Sequence, residues 1–115
     1  MKHALVIEDE WVNAAQMQDL LEALGVDSAS LAATEDEAIE SARACKPDVI
    51  TADVRLFEGS GPQAVQRICS ELGPIPVIFV TGNPELVDAL PPSVVLTKPI
   101  SDGHLRTAYQ SFFPA

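Results

Sequence analysis

Basic residues are scarce in this chain, whose 115 residues include 7 lysine and arginine residues against 17 aspartate and glutamate residues. The formal net charge of −10 repels nucleic-acid phosphates and anionic membranes, so direct binding to either is disfavoured. The excess of carboxylates favours a soluble surface, a site for a divalent cation, or both. Hydrophobic residues make up 47% of the chain, which is enough for one folded core and argues against disorder.

Cysteines and long apolar runs are also scarce. Cys45 and Cys69 match no metal-ligand spacing, so we expect both to be small buried residues in a reducing compartment. No apolar stretch approaches membrane-spanning length, and the one at 4–7 is too short for a signal peptide. Residues 1–115 are therefore predicted to form a single cytoplasmic domain, with no linker, repeat or output domain.

Short apolar runs alternate with segments of helical periodicity along the whole chain. One predicted helix opens with a capping box, Thr34 to Glu37. Before the last strand, residues 85–90 are bounded by prolines and leave room for only a short or irregular helix. Alternating β and α units predict an α/β fold with a parallel sheet and helices on both of its faces. The predicted strands are 4–7, 28–33, 49–53, 76–80 and 94–97.

Polar side chains occur at the carboxyl ends of four predicted strands. Glu8 and Asp9 follow the first strand, and Asp53 ends the third. Thr81 follows the fourth strand, and Lys98 follows the fifth. In an open α/β sheet these strand ends meet at one edge, where ligands bind. The side chains are therefore expected to converge.

The chemistry of these groups explains why they belong together. Clustered carboxylates repel one another, and Mg²⁺, which prefers carboxylate oxygens, removes that cost. A carboxylate can act as a nucleophile and form an aspartyl phosphate, while a lysine and a hydroxyl stabilise the transferred group. The strand ends thus predict Mg²⁺-dependent phosphoryl transfer.

Four segments, in this order, resemble the signature segments of response-regulator receiver domains of the CheY-like superfamily. The resemblance spans essentially the whole chain, and four motifs in register are far more specific than one. They are Leu5-Val6-Ile7-Glu8-Asp9-Glu10, Val49-Ile50-Thr51-Ala52-Asp53, Val77-Ile78-Phe79-Val80-Thr81-Gly82 and Leu96-Thr97-Lys98-Pro99.

The resemblance implies a flavodoxin-like (βα)5 three-layer sandwich whose parallel sheet has the order 2-1-3-4-5. It also implies a role for each matching residue. Asp53 is the phosphorylation site. Asp53 and Asp9 ligate Mg²⁺ together with the backbone carbonyl of Arg55, and Glu8 acts at the metal mainly through water. In such domains a switch hydroxyl and a phosphoryl-binding lysine complete the site. The peptide bond between that lysine and the proline after it is cis. The matching residues here are Thr81 and Lys98.

Two departures from the usual receiver pattern point to a subclass. Val95 stands where typical receivers have an aromatic switch residue, and the interval from Thr81 to Lys98 is shorter than usual by more than a helical turn. The segment around Thr81 is similar to the Phe-x-Thr-Gly receivers and to the receivers of general-stress-response regulators. That similarity implies histidine kinases of the HWE or a related class as partners. The receiver resemblance also implies that Arg55 and Asn83 occupy positions that tune phosphoryl lifetime. Both fit exposed loop residues without such a role equally well.

These features predict a stand-alone response regulator in a two-component phosphorelay. A histidine kinase or a histidine phosphotransfer protein gives its phosphoryl group to Asp53, and the domain then signals through a downstream protein, relays the group or acts as a phosphate sink. The domain catalyses its own phosphorylation but is not an enzyme in the turnover sense.

Several alternatives remain open on the sequence alone. A phosphatase of the haloacid-dehalogenase type requires an aspartate at the position of Arg55, which argues against it. In a flavodoxin, Glu8 and Asp9 would repel the flavin phosphate. A phosphorylation-independent interaction module on the same fold is kept open by Val95 and by the shortened segment before the last strand. Asp9 also fits a helix N-cap. Trp11 is expected to pack near the acidic site.

Overall fold

A computed structural model describes residues 1–56, 58–82 and 93–114 of the chain. The elements within these residues, in chain order, are β1 (His3–Ile7), α1 (Trp11–Ala23), β2 (Ser28–Ala32), α2 (Glu35–Ala44), β3 (Val49–Asp53), α3 (Gly61–Leu72), β4 (Val77–Thr81), β5 (Ser93–Thr97) and α4 (Asp102–Phe112).

The strands form one five-stranded sheet in the order β2-β1-β3-β4-β5, and every adjacent pair is parallel. This confirms the predicted flavodoxin-like fold and its strand order. In the register, Asp53 lies opposite Val80, and Thr81 lies opposite Thr97. The carboxyl ends of the four strands β1, β3, β4 and β5 therefore meet at one edge of the sheet.

The core lies in two layers, one on each face of the sheet, because successive strand residues point to opposite faces. In β3, Ile50 and Ala52 belong to the layer beneath α2 and α3. Val49 belongs to the layer beneath α1 and α4, whose buried residues include Leu21 and Leu105. The four described helices and the sheet thus make a three-layer sandwich, and burying both faces explains why four of the five residues of β4 are apolar.

Helix starts follow the chemistry of their first residues. Thr34 caps α2 by accepting a hydrogen bond from the Glu37 N–H at 3.1 Å, and the Glu37 carboxylate accepts one from the Ala33 N–H at 2.8 Å. This confirms the predicted capping box, although the Glu37 carboxylate accepts from the N–H of Ala33, one residue before the cap, and not from that of Thr34. Ser60 and Ser101 cap α3 and α4 in the same way.

The prediction for the cysteines is wrong in part. Cys45 is exposed, because it follows the last turn of α2 as its C-cap residue and turns away from the core. Cys69 lies on α3 and packs, partly buried, against the apolar layer on that side.

The predicted short helix at 85–90 and Asn83 lie outside the described residues. No helix in the described part of the chain has both the length and the apolar character that crossing a membrane requires.

Candidate functional site

Three carboxylates meet at the carboxyl edge of the sheet. Glu8 and Asp9 follow β1 and Asp53 ends β3, the next strand in the sheet. One carboxylate oxygen from each residue lies within 4.8 Å of the other two, and all three residues are partly buried. The structure therefore brings together the acids that the strand ends predicted to converge.

The carboxylate of Asp53 is held by two donors. Its Oδ2 accepts a hydrogen bond from Lys98 Nζ at 3.0 Å, and its Oδ1 accepts one from the Val54 N–H at 2.8 Å. The Asp53 side chain is 16% exposed and that of Lys98 is 40% exposed. The site thus faces solvent on the lysine side, and a molecule arriving from solvent can reach the carboxylate.

Lys98 is positioned by its backbone as well as by its charge. Its N–H donates to the carbonyl of Thr81 at 2.8 Å, which ties the end of β5 to the end of β4. The peptide bond between Lys98 and Pro99 is cis, as the resemblance implied. Thr81 itself is 4% exposed. It follows Val80, which lies opposite Asp53 in the sheet register.

Burial raises the pKa of Glu8 to about 7. The hydrogen bond from the Glu10 N–H opposes this rise, while the charge of Asp53 and the side chain of Asp9 add to it. The acidic cluster is therefore costly to ionise fully, and a bound cation would lower that cost.

The donor set fits a hard divalent cation. Three carboxylate oxygens converge from two adjacent strand ends, without sulfur or imidazole among the converging ligands. Oxygen-only sets of one or two carboxylates, completed by waters and phosphate oxygens, suit Mg²⁺. Glu8, Asp9 and Asp53 are thus the residues of the described chain that fit the predicted metal.

The loop after Asp53 carries Arg55. Arg55 pairs with Ser60 in an isolated antiparallel bridge, and the Val54 carbonyl accepts a hydrogen bond from the Gly61 N–H at 3.1 Å. The loop therefore folds back on itself at the start of α3. The Arg55 side chain is exposed, and the assignment of its carbonyl to the metal stays a prediction.

At the start of α1 one prediction is wrong and one alternative is excluded. Trp11 is 76% exposed, and its neighbour Val12 is 62% exposed, so the indole does not pack into the structure. The N-cap residue of α1 is Glu10, which makes no side-chain capping bond, so Asp9 is not the helix cap. Asp9 precedes the helix and joins the acidic cluster instead.

Sequence reasoning missed Gly61 and Thr51. Gly61 lies so close to β3 that a Cβ atom there would be 1.8 Å from the Asp53 carbonyl oxygen. Thr51, on the same sheet face as Asp53, is buried, and its hydroxyl has no hydrogen-bond partner among the described residues. Glycine before proline at a helix start was a usable signal for Gly61; an isolated threonine in a strand carries none.

A family model described as "Response regulator receiver domain" matches residues 4–110. Among curated proteins, the chain is similar to the phyllosphere-induced regulator PhyR of Methylorubrum extorquens, with 36% identity over 106 residues. That match covers 88% of this chain and 39% of the relative, and the chain spans less than two fifths of several curated proteins that it matches.

Solved structures show the same likeness. The PhyR response-regulator REC domain of Erythrobacter litoralis superposes with a TM-score of 0.89 at 35% identity, covering 97% of this chain and 89% of that one. The receiver domain of sensor histidine kinase PA1611 from Pseudomonas aeruginosa, solved with a magnesium ion coordinated in its active-site cleft, gives a TM-score of 0.84 at 26% identity. It covers 99% of this chain and 98% of that chain.

Proposed function

The chain belongs to the response regulator receiver family, and on that basis we propose that it accepts a phosphoryl group on Asp53 in two-component signalling, with Mg²⁺ as cofactor. The observation that carries this proposal is the position of Asp53. Its carboxylate lies beside Glu8 and Asp9 and 3.0 Å from the ammonium group of Lys98. A nucleophile, a metal-binding cluster and a cation for the transferred group thus occupy one solvent-accessible site.

In the proposed reaction a carboxylate oxygen of Asp53 attacks the phosphorus atom of a phosphohistidine. The new P–O bond forms as the P–N bond breaks, and the departing imidazole takes up a proton. The ammonium group of Lys98 now pairs with the carboxylate, and after transfer it pairs with a phosphoryl oxygen. The Val54 N–H, which already donates to Asp53, holds the carboxylate in a fixed orientation.

Asp9 and Asp53 are the proposed direct ligands of Mg²⁺, together with the backbone carbonyl of Arg55, and Glu8 acts at the metal mainly through water. Bound Mg²⁺ would neutralise the carboxylate cluster and the equatorial oxygens of the phosphoryl group. Burial raises the pKa of Glu8, and the charge of Asp53 adds to the rise, so ionising all three carboxylates together is unfavourable without a cation.

Thr81 is the proposed switch hydroxyl. It ends β4 beside β3, and its backbone carbonyl already binds the Lys98 N–H. Val95, where an aromatic switch residue is usual, packs partly buried against the apolar layer under α2 and α3. A rotating aromatic ring is therefore absent from this position, and the signal must pass through a different side chain.

The proposed partners are a histidine kinase, of the HWE or a related class, or a histidine phosphotransfer protein, and a downstream protein that binds the phosphorylated form. The proposed setting is a cytoplasmic stress response, in which the domain signals to a downstream protein, relays the phosphoryl group or acts as a phosphate sink. Phosphorylation shifts the population between two forms rather than turning over a substrate, so the role is regulatory.

The first test is intact mass spectrometry after incubation with acetyl phosphate, with Mg²⁺ or with EDTA. We expect wild type to gain one phosphoryl group only with Mg²⁺, and Asp53→Asn to gain none. Asp36→Asn is a matched control, because its side chain is 87% exposed on the opposite side of the sheet, and it should label like wild type.

Other outcomes would contradict the proposal or favour an alternative. Mg²⁺-independent labelling, or labelling that persists in Asp53→Asn, would contradict the proposed site. Lack of labelling by acetyl phosphate and by candidate kinases, with intact binding to a partner, would favour a phosphorylation-independent module. Steady turnover of a phosphate ester would favour the phosphatase, against which the exposed Arg55 already argues.

A further inference from the structure

The loop that joins β3 to α3 is held from the start of α2 by Glu35. The Glu35 N–H donates a hydrogen bond to the Glu58 carbonyl at 3.2 Å. Gly59 has a φ of +86°, and a Cβ atom there would be 2.7 Å from Glu35 Cβ and 3.2 Å from Glu35 Cδ. The first residue of α2 thus contacts two successive residues of this loop, one through its backbone and one through its side chain.

The Glu35 side chain is also fixed by α3. Its Oε2 accepts a hydrogen bond from Arg67 Nη1 at 3.2 Å, and only 18% of the side chain is exposed. Its Oε1 is buried and lies 3.4 Å from the position that a Gly59 Cβ would take. The side chain is therefore held between the loop and α3, whereas that of the next residue, Asp36, is 87% exposed.

The contact with Glu35 reaches the proposed metal site through a short series of backbone contacts. Gly59 is followed by Ser60, and Ser60 pairs with Arg55 in an isolated antiparallel bridge. Arg55 is the second residue after Asp53, and its backbone carbonyl is the Mg²⁺ ligand proposed above. A shift of Gly59 would therefore move the residue with which the Arg55 backbone is paired.

We propose that Glu35 is a positioning residue for the metal site, because its contact with Gly59 keeps the loop in the place from which the Arg55 carbonyl binds Mg²⁺. This inference rests on the proposed function, since it concerns the same metal. Replacing a residue that orients a metal ligand without touching the metal commonly weakens metal binding by about tenfold or more.

The test is a titration with MgCl₂ followed by ¹⁵N-HSQC, without a phosphodonor. We expect Glu35→Ala to bind Mg²⁺ about tenfold more weakly than wild type. Glu35→Gln keeps the length of the side chain and an acceptor for Arg67, so it should bind like wild type. Glu40→Ala, at an exposed position of the same helix, is the control and should also bind like wild type.

Two results of this titration would overturn the proposal while leaving the proposed function intact. They are equal Mg²⁺ affinities of wild type and Glu35→Ala, and a loss of affinity in Glu35→Gln as large as that in Glu35→Ala. Absence of Mg²⁺ binding by wild type would instead overturn the proposed function and this proposal together.

The variant Gly59→Ala tests the same contact from its other side. Its methyl group meets the Glu35 side chain, whereas that of Gly73→Ala, at a φ of +91°, meets nothing within 4 Å. Both substitutions strain a backbone of positive φ, so the difference between them isolates the contact. Only Gly59→Ala should weaken Mg²⁺ binding, by about threefold or more. Equal affinities of the two variants would contradict the proposal.

A measurement without metal is hydrogen exchange in EDTA at the Gly61 amide, which donates to the Val54 carbonyl at 3.1 Å and closes the base of the loop. We expect this exchange to be about threefold to tenfold faster in Glu35→Ala than in wild type, after correction for global stability measured by urea denaturation. Glu40→Ala should match wild type. Unchanged exchange in Glu35→Ala would show that Glu35 does not hold the loop.

Discussion

The backbone of Gly61 lies against the carbonyl group of Asp53. A Cβ atom on Gly61 would be 1.8 Å from the Asp53 oxygen and 2.9 Å from its carbonyl carbon, both of which are backbone atoms. A side chain at this position cannot be relieved by a rotamer change, so either β3 or the start of α3 must move. The first residue of α3 therefore helps to fix Asp53, the proposed phosphoacceptor.

Gly61→Ala should destabilise the protein by about 1–3 kcal/mol, because the added methyl group forces the backbone of Asp53 and Gly61 apart. It should also slow labelling of Asp53 by acetyl phosphate. Urea denaturation and intact mass measure the two effects. Gly103→Ala in α4 is the matched control, since its Cβ would meet only Ser101 Oγ, at 4.0 Å. There we expect stabilisation by about 0.5–1 kcal/mol. Equal effects of the two substitutions would contradict this argument.

Lys98→Met should lower the rate of labelling by acetyl phosphate by about 10²-fold or more, because the developing charge on the phosphoryl oxygens loses its ammonium partner. Folding should survive, since the Lys98 side chain is 40% exposed. Time-resolved intact mass gives the rate, and circular dichroism checks the fold. Lys46→Met, at another exposed lysine, is the control. A rate within twofold of wild type would remove Lys98 from the proposed mechanism.

The stability of the metal-free protein should fall as pH rises from 4.5 to about 7, through the contribution of Glu8. The folded protein binds this proton more tightly than the unfolded chain, because burial raises the pKa of Glu8 from 4.5 to about 7. This stabilising contribution is therefore full below 4.5 and is lost as Glu8 ionises.

Urea denaturation in EDTA across that pH range measures the effect, and the comparison is with Glu8→Gln. The free energy of unfolding of wild type should decline relative to that of Glu8→Gln as pH rises. Glu22→Gln, at an exposed position of α1, should run parallel to wild type. Parallel curves for wild type and Glu8→Gln would show that Glu8 is not the group responsible.

Thr51→Val should stabilise the free protein by about 1 kcal/mol, because it replaces a buried hydroxyl that lacks a partner with a methyl group of similar size. Thr107→Val is the control, since its hydroxyl donates to the Gly103 carbonyl at 3.0 Å. Urea denaturation measures the free energy of unfolding of each variant, and we expect only Thr51→Val to raise it above that of wild type. Destabilisation by Thr51→Val would mean that its hydroxyl is satisfied in solution.

Much of the fold was predictable because its signals are local. The predicted bounds of β3, 49–53, are confirmed, since a β-branched run follows Pro47 and ends at a charged residue. The predicted fourth strand began at 76, but β4 begins at Val77. Pro76 has no N–H for the sheet, although its carbonyl accepts a hydrogen bond from the Ile50 N–H at 2.9 Å.

The site was predictable because strand ends in this fold meet, so residues far apart in sequence could be placed together. What failed depended on tertiary neighbours. Trp11 was expected to pack because indoles usually do, yet its helix presents it to solvent. Cys45 sits one residue past a helix end, where period alone does not decide burial. The Thr51 hydroxyl lacks a hydrogen-bond partner because of the residues that surround it in the folded protein. A strand pattern does not specify those neighbours.

The side chains proposed for the chemistry come from strand ends and the residues directly after them. The helix α3 meets Asp53 through its first residue, Gly61, whereas the outward faces of α2 and α3 carry exposed ion pairs such as Arg43 with Glu71. We therefore expect substitutions on those outward faces to leave the proposed chemistry at Asp53 unchanged, so this surface can vary independently of the site.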